Sequence, residues 1–67
     1  MHKFYLGQQV RYFPPRGTYA PRGAYVVTAT LPEREGDFEY RIRHVKEEHE
    51  RMARESELRG LDDKALG

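Results

Sequence analysis

The stretch from Gly23 to Val45 constrains this chain most. It holds two alternating segments separated by Pro32 and a polar turn. In the first, Tyr25, Val27, Ala29 and Leu31 share one face and Val26, Thr28 and Thr30 the other, because strand side chains alternate with period two. β-branched residues suit such a pleated surface. Pro32 has no amide hydrogen for a ladder and is expected to end the strand. Gly36-Asp37 closes a polar loop. The second segment sets Phe38, Tyr40, Ile42 and His44 against Glu39, Arg41, Arg43 and Val45. This hairpin carries most of the apolar mass, so the rest of the chain must wrap over it.

Upstream, Gln8 to Phe13 alternates loosely, with Val10 and Tyr12 on one face, and Pro14-Pro15 ends it. Next, Pro-Arg-Gly-x-Tyr occurs twice in succession, as Pro15-Arg16-Gly17-Thr18-Tyr19 and Pro21-Arg22-Gly23-Ala24-Tyr25. Pro fixes φ and Gly permits positive φ, so each copy can turn the chain. Arg16, Tyr19 and Arg22 are the free groups of this loop.

Downstream, residues 46–59 have strong helical propensity, with Glu47/Arg51, Glu50/Arg54 and Glu55/Arg59 as i,i+4 pairs. A helix here has a poor apolar stripe: Val45, His49, Met52 and Ala53 cluster, while Leu58 falls opposite them. The competing reading is a strand near 49–54 followed by a 3-10 turn, which points Met52 and Leu58 inward. Tertiary packing commonly overrides local propensity, which favours the strand.

The run Phe4-x-x-Gly7-Gln8-x-Val10 resembles the opening of SH3-like and Tudor-like small barrels. The spacing of Gly23-x-Tyr25-x-Val27, Leu31-Pro32, Tyr40-Arg41-Ile42 and Glu50-Arg51-Met52-Ala53-x-Glu55-x-Glu57-Leu58 is similar to small uncharacterised bacterial proteins of that class. The resemblance covers residues 4–60 and implies a fold but no activity. The expectation is therefore an all-β, five-stranded SH3-like barrel with a 3-10 turn before its last strand. The strands fall near 8–13, 24–31, 38–45, 49–54 and 58–61. The alternative is α+β, a hairpin or meander with a C-terminal helix over 46–59. The expected core is Val10, Tyr25, Val27, Leu31, Tyr40, Ile42, Met52 and Leu58. Residues 1–60 form one domain and 61–67 a loose tail.

Sixty-seven residues make a small domain that buries about 60% of its unfolded surface. There is no cysteine, hence no disulfide and no thiolate for zinc, which fits a cytoplasmic setting. No apolar run approaches the ~20 residues of a membrane helix, and residues 1–8 lack the apolar stretch of a signal peptide. Neither a membrane partner nor a cofactor is expected, and the chain reads as a monomer. Its net charge of +1 conceals an asymmetry. Residues 1–25 carry Lys3, Arg11, Arg16 and Arg22 and no acid, whereas the remainder holds all eleven acids.

Catalysis has little to work with. Ser56, the only serine, sits among charged residues, and neither a nucleophile elbow nor a phosphate-cradling loop is present. Paired carboxylates need a pocket that raises one pKa, which a domain of this size rarely builds. His44 and His49 beside Glu47, Glu48 and Glu50 match no established zinc spacing, so no metal site is assigned. The chain reads as a non-enzymatic binding module. A nucleic-acid surface would use Arg11, Arg16, Tyr19, Arg22, Arg41 and Arg43, pairing cations with aromatic platforms. The alternative is an adaptor that grips an extended or Pro-rich segment through Tyr5, Tyr12 and Tyr19.

Overall fold

The computed structural model describes residues 1–61. It is an antiparallel all-β fold of five strands: β1 (Gln9–Tyr12), β2 (Ala24–Arg34), β3 (Asp37–His44), β4 (Glu50–Arg54) and β5 (Leu58–Gly60). A 3-10 turn, Glu55–Glu57, precedes β5. The sheet order is β4-β3-β2-β1-β5. The last strand in the chain thus pairs with the first, and the turn connects the two ends of the order. The helix alternative for 46–59 gives way to strand, turn and strand, as burial of Leu58 requires.

The central hairpin is longer than its composition suggests. β2 does not stop at Pro32 but runs to Arg34, with irregular pairing between Leu31 and Arg34 accommodating the proline. The connection is a two-residue turn, Glu35-Gly36, closed by the Arg34–Asp37 pair. Both turn residues have positive φ, 54° and 84°, which matches the twist of a tight hairpin and explains a glycine at the second position.

A second irregularity sits between Val27 and Ala29, where Thr28 is left over as a bulge. The extra residue flips the parity of everything beyond it. Val27 pairs with Ile42 on the core face, but Ala29 pairs with Arg41 and Leu31 with Glu39 on the outer face. Leu31 is therefore half-buried rather than a core residue, which corrects the alternation read from the sequence.

The core is Phe4, Val10, Tyr25, Val27, Tyr40, Ile42, Ala53 and Leu58. Met52 is the second correction: it is 50% exposed, opposite Arg41 on the outer face, while its neighbour Ala53 turns inward. Ala53 lies directly across from Tyr40, where a methyl leaves room for the ring. A one-residue shift exchanges the two faces of a strand, and the β3–β4 register resolves it in favour of Ala53. The backbone N–H of Arg54 donates to Glu57 Oε1 (3.0 Å), fixing the strand-to-turn corner.

Phe4 brings residues 1–6 onto the end of this core. Its N–H donates to the Tyr40 hydroxyl (3.2 Å), and that hydroxyl donates to Glu55 Oε2 (2.5 Å). The same carboxylate oxygen accepts the Lys3 N–H (2.7 Å). Burial, followed by the hydrogen bond to Glu55, pushes the Tyr40 phenol up to about 12. The tail expected over 61–67 lies outside the described residues apart from Leu61.

Candidate nucleic-acid interface

The loop between β1 and β2, residues 13–23, is the longest connection among the described residues, and inner-face side chains of the sheet hold it. The Tyr25 hydroxyl donates to the Pro21 carbonyl (2.7 Å). His44 Nε2 lies 2.8 Å from the Arg22 carbonyl oxygen. A carbonyl only accepts, so Nε2 carries the hydrogen; Nδ1 then accepts the Lys46 N–H at 3.0 Å. His44 is 6% exposed and stacks edge-on against Tyr25, with centroids 5.0 Å apart. A buried histidine is thus spent on pinning the loop. Arg51 reaches from β4 to the Tyr19 carbonyl (3.4 Å) and to Glu47. Gly23, at φ +122°, lets the chain pass over the imidazole: a Cβ there would lie 3.0 Å from Nε2.

Held in this way, the loop and β1 enclose a groove of about 760 Å³. Its walls include Arg11, Phe13, Pro14, Pro21, Arg22 and Leu61. No carboxylate lines it among the described residues. Arg11 projects from the outer face of β1 and sits directly across the ladder from Arg59 of β5. Like charges at directly opposed positions repel, so an anion between them is favoured. The Arg59 guanidinium lies over the Phe13 ring, 5.8 Å from its centroid, and the ring is 52% exposed. Phe13 itself is anchored through its N–H to the Glu57 carbonyl (2.8 Å).

The six nucleic-acid candidates do not form one cluster. Arg11 and Arg22 meet at the groove. Arg16 is exposed in the loop, where the Thr18 N–H to Pro15 carbonyl bond (3.1 Å) makes a turn. Tyr19 is 84% exposed and does not line the groove. Arg41 and Arg43 lie on the outer face of β3 and are engaged elsewhere. Arg41 faces Glu50 at 3.7 Å, and Arg43 donates to the Glu47 carbonyl at 3.0 Å, closing the β3–β4 connection.

The three tyrosines proposed for a peptide are dispersed as well. Tyr5 is exposed at an N-terminal turn, where its N–H donates to Gln8 Oε1 (3.1 Å). Tyr12 is half-buried edge-on against Tyr25, with centroids 5.4 Å apart. Burial, with the Glu57 carboxylate adding to it, pushes its phenol up. Tyr12 also borders a smaller hollow of about 290 Å³ with Pro15, Thr18 and Met52. Sequence reading missed Phe13 and Arg59. Neither carries a motif, and only the β1–β5 pairing places Arg59 near Phe13 and across from Arg11.

Among the described residues, no three His, Cys, Asp or Glu side chains come together in a way that could hold a metal ion. The chain matches no family model, no curated protein and no solved structure.

Proposed function

We propose that this chain is a non-enzymatic binding module of SH3-like architecture whose groove takes the sugar–phosphate backbone of a nucleic acid. The observation that carries the reading is the charge of the groove. Arg11 and Arg22 line it, Arg59 flanks it, and none of the nine acids among the described residues faces it. Arginine suits this role because its planar fork matches phosphate oxygens and stays charged. Concentrating three such groups beside an aromatic ring follows the pattern of single-strand binders. The overall charge of only +1 keeps the attraction local to this patch.

The test is a backbone NMR titration with short oligonucleotides at low and at high salt. Shifts should centre on Arg11, Phe13, Arg22 and Arg59 and fade as salt rises. The double variant Arg11→Ala/Arg22→Ala should weaken binding and flatten the salt slope by roughly two units. Absence of saturable shifts at low salt, or binding untouched by the double variant, refutes the groove.

A protein partner is the second reading. It rests on the hollow beside Met52, which places an exposed thioether next to Tyr12 and Pro15. An extended peptide seated there should shift Tyr12 and Met52 resonances with little dependence on salt.

A further inference from the structure

We propose that the groove selects unpaired nucleotides, with one base stacked on Phe13, and that Arg59 is the brace for that ring. The inference rests on the nucleic-acid reading of the groove and adds the form of the ligand and the residue that grips its base.

Phe13 is the aromatic ring free to act as a platform. Tyr12, its neighbour, packs edge-on against Tyr25 and is half-buried. Tyr19 and Tyr5 are exposed but lie away from the groove lining. Phe13 is 52% exposed, lines the groove, and has the Arg59 guanidinium over its ring. The cation polarises the ring and limits its motion, which prepares a flat surface before a ligand arrives. Its backbone is fixed by the bond to the Glu57 carbonyl.

The spacing of chemistry along the groove then defines the ligand. An aromatic ring flanked by Arg11 and Arg22 asks for a π-face with an anion beside it. A nucleotide unit of a single strand offers both at once. A duplex offers its phosphates but keeps its bases stacked on one another, so Phe13 would find no partner. The groove offers few groups to read base edges once its two arginines are taken up by phosphates. Among its described lining residues, polar side chains come only from Arg11, Tyr12 and Arg22, with no amide, hydroxymethyl or carboxylate group. Recognition therefore rests on stacking, which every base supports, and sequence preference should be weak.

The experiment compares four probes by fluorescence anisotropy at one low salt concentration: labelled oligothymidylate, oligodeoxyadenylate, the abasic deoxyribose-phosphate oligomer of equal length, and a blunt duplex. The wild-type chain should bind the two base-bearing single strands within a few-fold of each other. It should bind the abasic oligomer and the duplex at least several-fold more weakly. Phe13→Leu should reduce affinity for oligothymidylate roughly 5- to 100-fold, the range of a lost base–aromatic stack. It should leave affinity for the abasic oligomer unchanged. Phe13→Tyr should restore binding, because it keeps the ring. The Phe13 ring protons should move upfield on adding oligothymidylate. Since the ring is half exposed, Phe13→Leu should keep the amide spectrum of a folded sheet.

Equal binding of abasic and base-bearing strands, or tighter binding of the duplex, overturns the stacking inference. Retained sensitivity to Arg11→Ala/Arg22→Ala would show in that event that the phosphate groove itself stands. Failure of every probe to bind at low salt overturns both.

Discussion

Replacing Gly23 by alanine tests the device that holds the loop. At φ +122° the backbone occupies a region that side chains rarely adopt. A residue forced into such a conformation costs about 1–3 kcal/mol. The new methyl also meets His44 Nε2 at 3.0 Å. That atom donates to the Arg22 carbonyl, one residue before the substitution. The imidazole has little room to retreat, because it is buried and its Nδ1 is tied to the Lys46 amide. Losing one of these bonds leaves a buried polar group unpaired, at about 1–3 kcal/mol. Together the two effects place Gly23→Ala at roughly 2–6 kcal/mol, a large part of the stability of so small a domain.

Gly17→Ala is the matched control. Gly17 also has positive φ, 88°, but open space where a Cβ would go. It should incur only the backbone penalty of about 1–2 kcal/mol. Thermal melts followed by circular dichroism read the difference directly, at about 4–8 °C per kcal/mol for a domain of this size. A double-mutant cycle isolates the clash: in a His44→Ala background the methyl has nothing to strike, so the added cost of Gly23→Ala should fall toward that of Gly17→Ala. If Gly23→Ala proves no worse than Gly17→Ala, or if its cost is unchanged when His44 is removed, the imidazole is not what the glycine makes room for.

Two further outcomes follow from the register and from the tyrosines. Leu58→Ala should cost roughly 2–4 kcal/mol in urea melts, because Leu58 is 4% exposed, whereas Met52→Ala should stay within about 0.5 kcal/mol; a reversed ranking would mean that β4 is paired one residue out of step. Alkaline titration should destabilise the chain between pH 10 and 12. Burial raises the phenols of Tyr12, Tyr25 and, to about 12, Tyr40 above the ordinary value of 10.0. A folded pKa above the unfolded one means that the stabilisation is complete below pH 10 and is lost as pH rises toward 12. Tyr40 alone should account for about 3 kcal/mol of that loss. Tyr40→Phe should lessen this alkaline loss, and a pH-independent melting temperature across the window would contradict it.

Most of the sheet was legible because alternation is a local property. Val10, Tyr25, Val27, Tyr40 and Ile42 occupy the core face as their period-two spacing requires. Each strand lies within three residues of its expected bounds, the largest difference being the extension of β2 past Pro32. Leu31 and Met52 went astray for one shared reason: face assignment is a parity, and parity can be reset without a sequence mark. At Thr28 a single leftover residue resets it inside β2. At β4, Met52 and Ala53 are adjacent apolar residues, and only the pairing of Ala53 with Tyr40 decides between them. Phe4 escaped notice because residues 1–6 belong to no strand, and its burial depends on a hydroxyl presented by β3.

The candidate site was less legible than the fold, and for a different reason. Charge counting over residues 1–25 finds the basic bias that supplies Arg11 and Arg22. It cannot find Arg59, which lies forty-eight positions after Arg11 and reaches it only through the β1–β5 ladder. Alternation gives the outward direction of Arg41 and Arg43 correctly but not their neighbours, Glu50 beside Arg41 and the Glu47 carbonyl that accepts from Arg43. Outward placement on a strand makes an arginine available; only its neighbours decide whether it stays so. By that criterion the histidine is the instructive residue. His44 alternates with the core residues of β3, and its ring nitrogens satisfy one loop carbonyl and one turn amide. It therefore converts a Pro- and Gly-rich segment into the fixed wall of a groove. The chemistry of the groove rests on Arg11, Phe13, Arg22 and Arg59, but its shape is set from beneath by Tyr25 and His44. Substitution at either should perturb the loop's backbone resonances first and ligand affinity only in consequence.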